Sequence, residues 1–109
     1  MSSLSRKLVL EARVRGSDGA GGFTDGWAAL GTHWGEVLRG SARLERGDDV
    51  ARSRASYRIR VRAVSPTSPA YPHAGQRFRE GARLYDIRAV AMDTDARFLT
   101  CAGDEEVAS

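Results

Sequence analysis

Cysteine is nearly missing from this chain: Cys101 is the single one among 109 residues. That excludes an internal disulfide framework and any multi-cysteine zinc site, and it fits a life without oxidative stapling, such as the cytosol. No apolar run approaches the roughly 20 residues that a membrane helix needs. After Arg6 and Lys7 the chain meets Glu11 and Arg13 too soon for a signal peptide. Histidine is limited to His33 and His73, with no His-x-x-x-His spacing, so imidazole chemistry has little to work with. Proline is confined to Pro66, Pro69 and Pro72. Lysine is confined to Lys7, and every other base is arginine.

What remains is an ordinary single-domain composition, 41% hydrophobic and 28% charged. A chain this short buries about two-thirds of its unfolded surface, enough for one modest core. The whole of 1–109 is read as one domain. The net charge is +3, unevenly placed. Three of the 14 acids, Asp104, Glu105 and Glu106, fall in the last nine residues, which hold no base. Residues 1–100 therefore carry 17 bases against the remaining 11 acids. The preference for arginine has an ordinary origin in GC-rich codons. Its functional counterpart is planar, bidentate contact with phosphate or carboxylate.

Patterning points to strands. From Lys7 to Arg15, Leu8, Leu10, Ala12 and Val14 alternate with Val9, Glu11, Arg13 and Arg15, the period of a half-buried strand. Asp18, Gly19, Ala20, Gly21, Gly22 and Phe23 form a flexible loop. Residues 26–39, rich in glycine and aromatics, suit a bent strand. The polar stretch 41–56 predicts a short helix near 48–55, with Asp48 or Asp49 at its start and Gly47 against it. Tyr57 to Val64 is the clearest strand. Tyr57, Ile59, Val61 and Ala63 take one face, and Arg58, Arg60 and Arg62 the other. Residues 65–75 hold all the prolines and must be an extended loop. Gln76–Arg79 starts a hairpin that turns at Glu80-Gly81 and returns through Arg83–Met92, with Tyr85, Ile87 and Ala89 on one side. Arg97–Ala102 is the last strand, and an acidic tail from about 103 to 109 is expected to be disordered. The fold class is mainly β: a small antiparallel barrel or sandwich of five to six strands, one short inserted helix and long loops.

No constellation points to catalysis. Cys101 lies in a predicted strand and reads as a buried, inert thiol. The carboxylates lie mostly in turns and the tail, and no spacing singles out an acid–base pair. The glycine-rich segment after Asp18 lacks the Gly-Lys-Ser/Thr ending of a phosphate loop. No catalytic residue, cofactor or metal site is assigned. The Arg58/Arg60/Arg62 row is the strongest electrostatic feature. Its cations stand about 7 Å apart on one strand face and repel one another unless something opposes them. A solvated face is the ordinary reading. The functional one is contact with phosphate or carboxylate. Trp27 and Trp34 read as core residues or as interface anchors.

The order of these features resembles a known family. Leu8-x-Leu10-Glu11 leads to the Asp18–Phe23 loop, then Trp27 and Leu30-Gly31-Thr32-x-Trp34-x-Glu36-Val37. After a polar insert come Tyr57–Arg62, Gln76–Arg79, Leu84-Tyr85-Asp86-Ile87-x-Ala89-Val90 and Arg97-Phe98-Leu99-x-Cys101 with its acidic tail. Together they resemble the head-closure, or stopper, proteins of tailed phages, in the version carried by prophages and gene transfer agents. The resemblance implies a β-barrel that assembles as a homo-oligomeric ring, six-fold in preference to twelve-fold, in the neck of a particle made in the bacterial cytoplasm. It implies partners in the portal or adaptor and the tail terminator or tail tube, with double-stranded DNA passing through the channel and no membrane. It implies long loops that line or gate the channel. By position these are 16–25, with Asp18, Gly19, Gly21, Gly22 and Phe23, and 65–75, with Pro69, Tyr71 and Pro72. The Arg58/Arg60/Arg62 row and the Asp104/Glu105/Glu106 tail are the candidate unlike surfaces that a ring requires. The competing reading is a stand-alone nucleic-acid-binding barrel that uses the arginine row. An enzyme or ligand-binding module is the third and weakest.

Overall fold

The computed structural model describes residues 4–17, 19–40, 43–44 and 53–106. Eight strands follow in order: β1 Arg6–Ser17, β2 Phe23–Arg39, β3 Arg43–Leu44, β4 Ser53–Arg54, β5 Ser56–Arg62, β6 Arg77–Glu80, β7 Arg83–Met92 and β8 Phe98–Glu105. Six of them close into an antiparallel barrel in the order β1-β2-β5-β8-β7-β6, and β3 pairs with β4 as a separate two-stranded ribbon. There is no helix among the described residues. The helix expected near 48–55 falls mostly outside them. At Ser53–Arg54, where it can be compared, the chain is strand, because those residues pair with Arg43–Leu44 across the base of the insert.

The inner face follows the alternation of the sequence. Leu8 and Leu10 of β1, Ile59 and Val61 of β5, Phe78 of β6, Tyr85 and Ile87 of β7, and Leu99 and Cys101 of β8 make one core cluster. Each large apolar side chain fully buried there stabilises the fold by about 1.5–3 kcal/mol. Strand β2 gives the interior little bulk: His33 is buried and Val37 and Leu30 pack partly against the core. Gly35 marks the point where β2 is paired on both sides, to Arg6 and to Val61. A Cβ at Gly35 would stand 2.8 Å from a Leu8 methyl and 2.9 Å from a Val61 methyl, so the neighbouring side chains occupy its place.

Two irregularities break the simple parity. In β1–β2 the register shifts between Leu10 and Glu11, leaving Leu30 as an extra residue on β2. Beyond that bulge, β1 leaves β6, its partner through residues 9–11, and continues with β2 alone to Ser17 and Phe23. The hairpin thus projects past the closed sheet as a two-stranded arm, and Val14, expected on the buried face, is 44% exposed there. In β7 the register shifts between Ile87 and Ala89. The bulge at Arg88 turns Ala89 outward, contrary to its sequence parity, and puts Val90 against the core.

The acidic end is also ordered further than expected. Strand β8 runs to Glu105, because Asp104 pairs with Ser56 on one side and Asp86 on the other, and Glu105 pairs with Tyr85. Burial within this core pushes the Cys101 thiol up to about 12. A native sample at pH 8 is therefore expected to resist a thiol-specific chromogenic reagent and to react fully once unfolded in urea. Rapid native labelling would contradict the core placement of Cys101.

Candidate interaction surface

The outer face of the barrel carries the chemistry, and most of it is arginine held by carboxylate. Glu11, only 7% exposed, accepts bonds from Arg77 Nε and Arg79 Nε, each at 2.8 Å. The Trp27 ring contacts two guanidiniums, Arg77 at 3.9 Å and Arg13 at 5.4 Å. Trp27 is thus a half-buried stacking platform on the outside and not a core residue. The strand ends β1, β2, β5, β6, β7 and β8 meet at one mouth, which is ringed by a second network. Arg6 forks onto Glu80, with its Nε 2.6 Å from Oε2. Tyr85 donates to Glu80 Oε1 at 3.3 Å, and Arg83 forks onto Glu105 at 2.8 and 3.1 Å. Burial pushes the Tyr85 phenol up to about 12, so it stays a donor.

The opposite mouth is covered by residues 65–75. His33 Nε2 lies 2.7 Å from the Ala70 carbonyl oxygen, and Pro72 is fully buried. Tyr71 packs against the core. Gly31 allows the close seat, since a Cβ there would be 2.9 Å from that of Ala70. Internal bonds from Ser68 N to Ser65 O and from Tyr71 N to Ser68 O stiffen the loop further. Of the loop residues expected to move, Pro69, Tyr71 and Pro72 therefore belong to a seated plug. The other loop differs. Gly19 and Gly21 take positive φ values of 80° and 85° with nothing within 4 Å of a would-be Cβ, and they sit with Gly22 at the tip of the projecting arm. Phe23 begins β2, and Asp18 lies outside the described residues.

The arginine row is placed as its alternation requires. Arg58, Arg60 and Arg62 point outward from β5. They are not equivalent. Arg60 is 3.1 Å from Asp93 Oδ2 and lies 4.1 Å over the Phe98 ring. Arg58 and Arg62 are exposed and have no ion pair among the described residues. The acids of the C-terminal segment do not meet this row. Asp104 pairs with Arg88 at 2.9 Å, Glu105 with Arg83, and Glu106 with Arg77 at 3.7 Å. The sequence signal that was missed lies on β2. Trp34 and Leu38 alternate with buried His33, Gly35 and half-buried Val37, so they share the outer face with the arginines. Trp34 is 56% and Leu38 42% exposed.

These features define a small closed antiparallel β-barrel with a projecting hairpin arm and an arginine-rich outer surface. Among the described residues no group of three or more His, Cys, Asp or Glu is placed to hold a metal ion. The chain belongs to the phage head completion protein family, whose profile matches residues 1–106. It is also similar to a chain in the solved virion of a native gene transfer agent particle, at 42% identity and a TM-score of 0.78, with 100% of both chains covered. Among curated proteins no match is found.

Three carboxyls in these networks are held below the ordinary glutamate value of 4.5. For Glu11, burial pulls upward, but the bonds from Arg79 and Arg77 outweigh it. For Glu80 the bond from Arg6 dominates, and for Glu105 the bond from Arg83. Their folded values lie below their unfolded ones, so their stabilisation is complete above about pH 4.5 and is lost as pH falls through the depressed values. Urea midpoints should be flat near neutrality and drop steeply in acid. Glu11→Ala strands two arginines and should cost about 2 kcal/mol at pH 7, measured by urea unfolding. The variant should also flatten the acid limb of the stability curve.

Proposed function

We propose that this head-completion protein forms a homo-oligomeric ring in the neck of the particle, between the portal or adaptor and the tail terminator or tail tube. There it retains packaged DNA and gives the tail a surface to dock on. The observation that carries this reading is the projecting β1–β2 arm with its glycine tip, on a barrel already complete without it. Apart from Trp27, whose ring lies against Arg77, the arm is strand-paired only with itself, and its tip is suited to reach a neighbour. The likeness to a chain of a virion over its full length supports the same role.

The barrel bears on where DNA would run. Its interior is filled by side chains at 0–3% exposure, and one mouth is plugged by residues 65–75. The subunit has no bore of its own, so a DNA path would lie between copies. The arm is the element best able to narrow it, because a glycine tip rearranges at little cost compared with opening a packed strand. A six-fold ring is preferred, each contact being weak and strengthened by closure of the circle. The arginine row and the acidic end stay candidate unlike surfaces. Because Asp104, Glu105 and Glu106 are already paired in cis, only a rearranged end would offer its charge to a neighbour.

Removing Gly19–Gly22 should leave the melting temperature of the isolated protein within a few degrees of wild type. The same deletion should yield particles that leak DNA or lack tails, scored by nuclease-protected DNA and electron microscopy. Tailed particles retaining DNA at the wild-type level would reject the gate.

A further inference from the structure

Strand register brings together two features that lie apart in the sequence. Across β2 and β5, Leu38 faces Arg58 and Glu36 faces Arg60, and Trp34 lies one step beyond the Gly35–Val61 pair, beside Arg62. The middle row is satisfied: Arg60 holds Asp93, and Thr100 Oγ1 donates to the same carboxylate at 3.1 Å. The rows on either side are not. Each sets one exposed apolar side chain, Trp34 or Leu38, against one exposed arginine, Arg62 or Arg58. Next to Arg58 the surface dips where β8 presents only Ala102. The depression, about 500 Å³, is walled by Arg39, Arg58 and Arg88. Arg58 has no ion pair among the described residues, Arg39 lies within electrostatic reach of Glu105, and Arg88 holds Asp104.

We propose that this outer face of β2 and β5 docks an acidic surface of a different protein of the particle. An apolar anchor of the partner seats against Trp34 and Leu38. A partner carboxylate enters the Ala102 depression between Arg58 and Arg39. The inference rests on the head-completion reading and adds to it a surface and a class of partner.

The identity of the occupant follows from complementarity. A second copy of this chain is the weaker match: among the described residues Glu11, Glu80, Asp93, Asp104, Glu105 and Glu106 are each already ion-paired, and the exposed acids Asp25 and Asp95 stand singly, on the arm and in the turn before β8. A DNA backbone would satisfy the arginines but offers nothing to cover Trp34 and Leu38. Protein interfaces use tryptophan and arginine together as anchors, in patches whose centre is desolvated. Carboxylates in reach of a guanidinium also bind it in a directed, two-point manner.

Two measurements on whole particles test this. In cells producing particles, the gene is replaced by variants Trp34→Ser/Leu38→Ser or Arg58→Glu/Arg62→Glu. Copies of the chain per purified particle should fall at least about tenfold in each, with melting temperatures of the isolated proteins near wild type. Incorporation of both folded variants at the wild-type level would overturn the proposal. Independently, Thr32, exposed on the same face and not a proposed anchor, is replaced by photoreactive p-benzoylphenylalanine. Irradiated particles should give an adduct to an acid-rich peptide of another particle protein. An adduct to this same chain, a nuclease-sensitive adduct to DNA, or no adduct would each overturn it. Absence of the wild-type chain from purified particles would overturn the head-completion reading itself, and this inference with it.

Discussion

Closure of the barrel rests on a seam only three residues long. Strands β1 and β6 meet through Val9–Arg79, Leu10–Phe78 and Glu11–Arg77. Every other junction in the ring has more pairs to spread the load. The seam compensates by chemistry on both faces. Leu10 and Phe78 sit fully buried inside. Outside, the Glu11 carboxylate is gripped by Arg77 and Arg79, one residue on either side of Phe78. A carboxylate this sheltered is tolerable only with such partners, and losing them would leave a costly bare charge. The ion pair therefore does more than decorate a surface. It holds shut the edge whose opening would expose two unpaired strands to aggregation.

The same logic runs through the rest of the arginine-rich exterior. Among the described residues six guanidiniums are paired within the chain: Arg77 and Arg79 on Glu11, Arg6 on Glu80, Arg83 on Glu105, Arg60 on Asp93 and Arg88 on Asp104. Arginine suits these positions because its planar fork meets both oxygens of a carboxylate and its flat face lies on rings such as Phe98 and Trp27. Outside these internal pairs, β2 and β5 keep Arg39, Arg58 and Arg62 exposed, with no ion pair among the described residues.

How much of this was legible beforehand differs by region. The β5 alternation and the 77–92 hairpin were read with their faces and boundaries nearly right, because period-two patterning and a Glu-Gly turn are local signals. Bulges at Leu30 and Arg88 were not legible. They depend on which strand lies alongside: the bulge at Arg88 moved Ala89 off the face that parity assigned, while Val14 is exposed because the β1–β2 arm runs past the closed sheet. The acidic end was misjudged for a similar reason. Asp104 and Glu105 look solvated in sequence, yet they continue β8 because Arg88 and Arg83, far back in the chain, stand opposite. Trp34 and the arginine row were each noticed, but their meeting is a matter of register that no spacing along the chain displays. The helix read into the polar insert was a propensity argument, and where the insert can be followed it is strand.

The arm has a separate consequence for how such proteins vary. From Ala12 to Ser17 and from Phe23 to Ala28 the two strands pair only with each other, outside the closed circuit, with Trp27 still lying against Arg77. Adding or deleting matched residues beyond Trp27 changes length by about 3.3 Å per residue pair while leaving every barrel register in place. Reach is thus decoupled from thermodynamic stability. Relatives sharing this scaffold can differ in how far they reach by trimming one hairpin, with no redesign of the barrel beneath it.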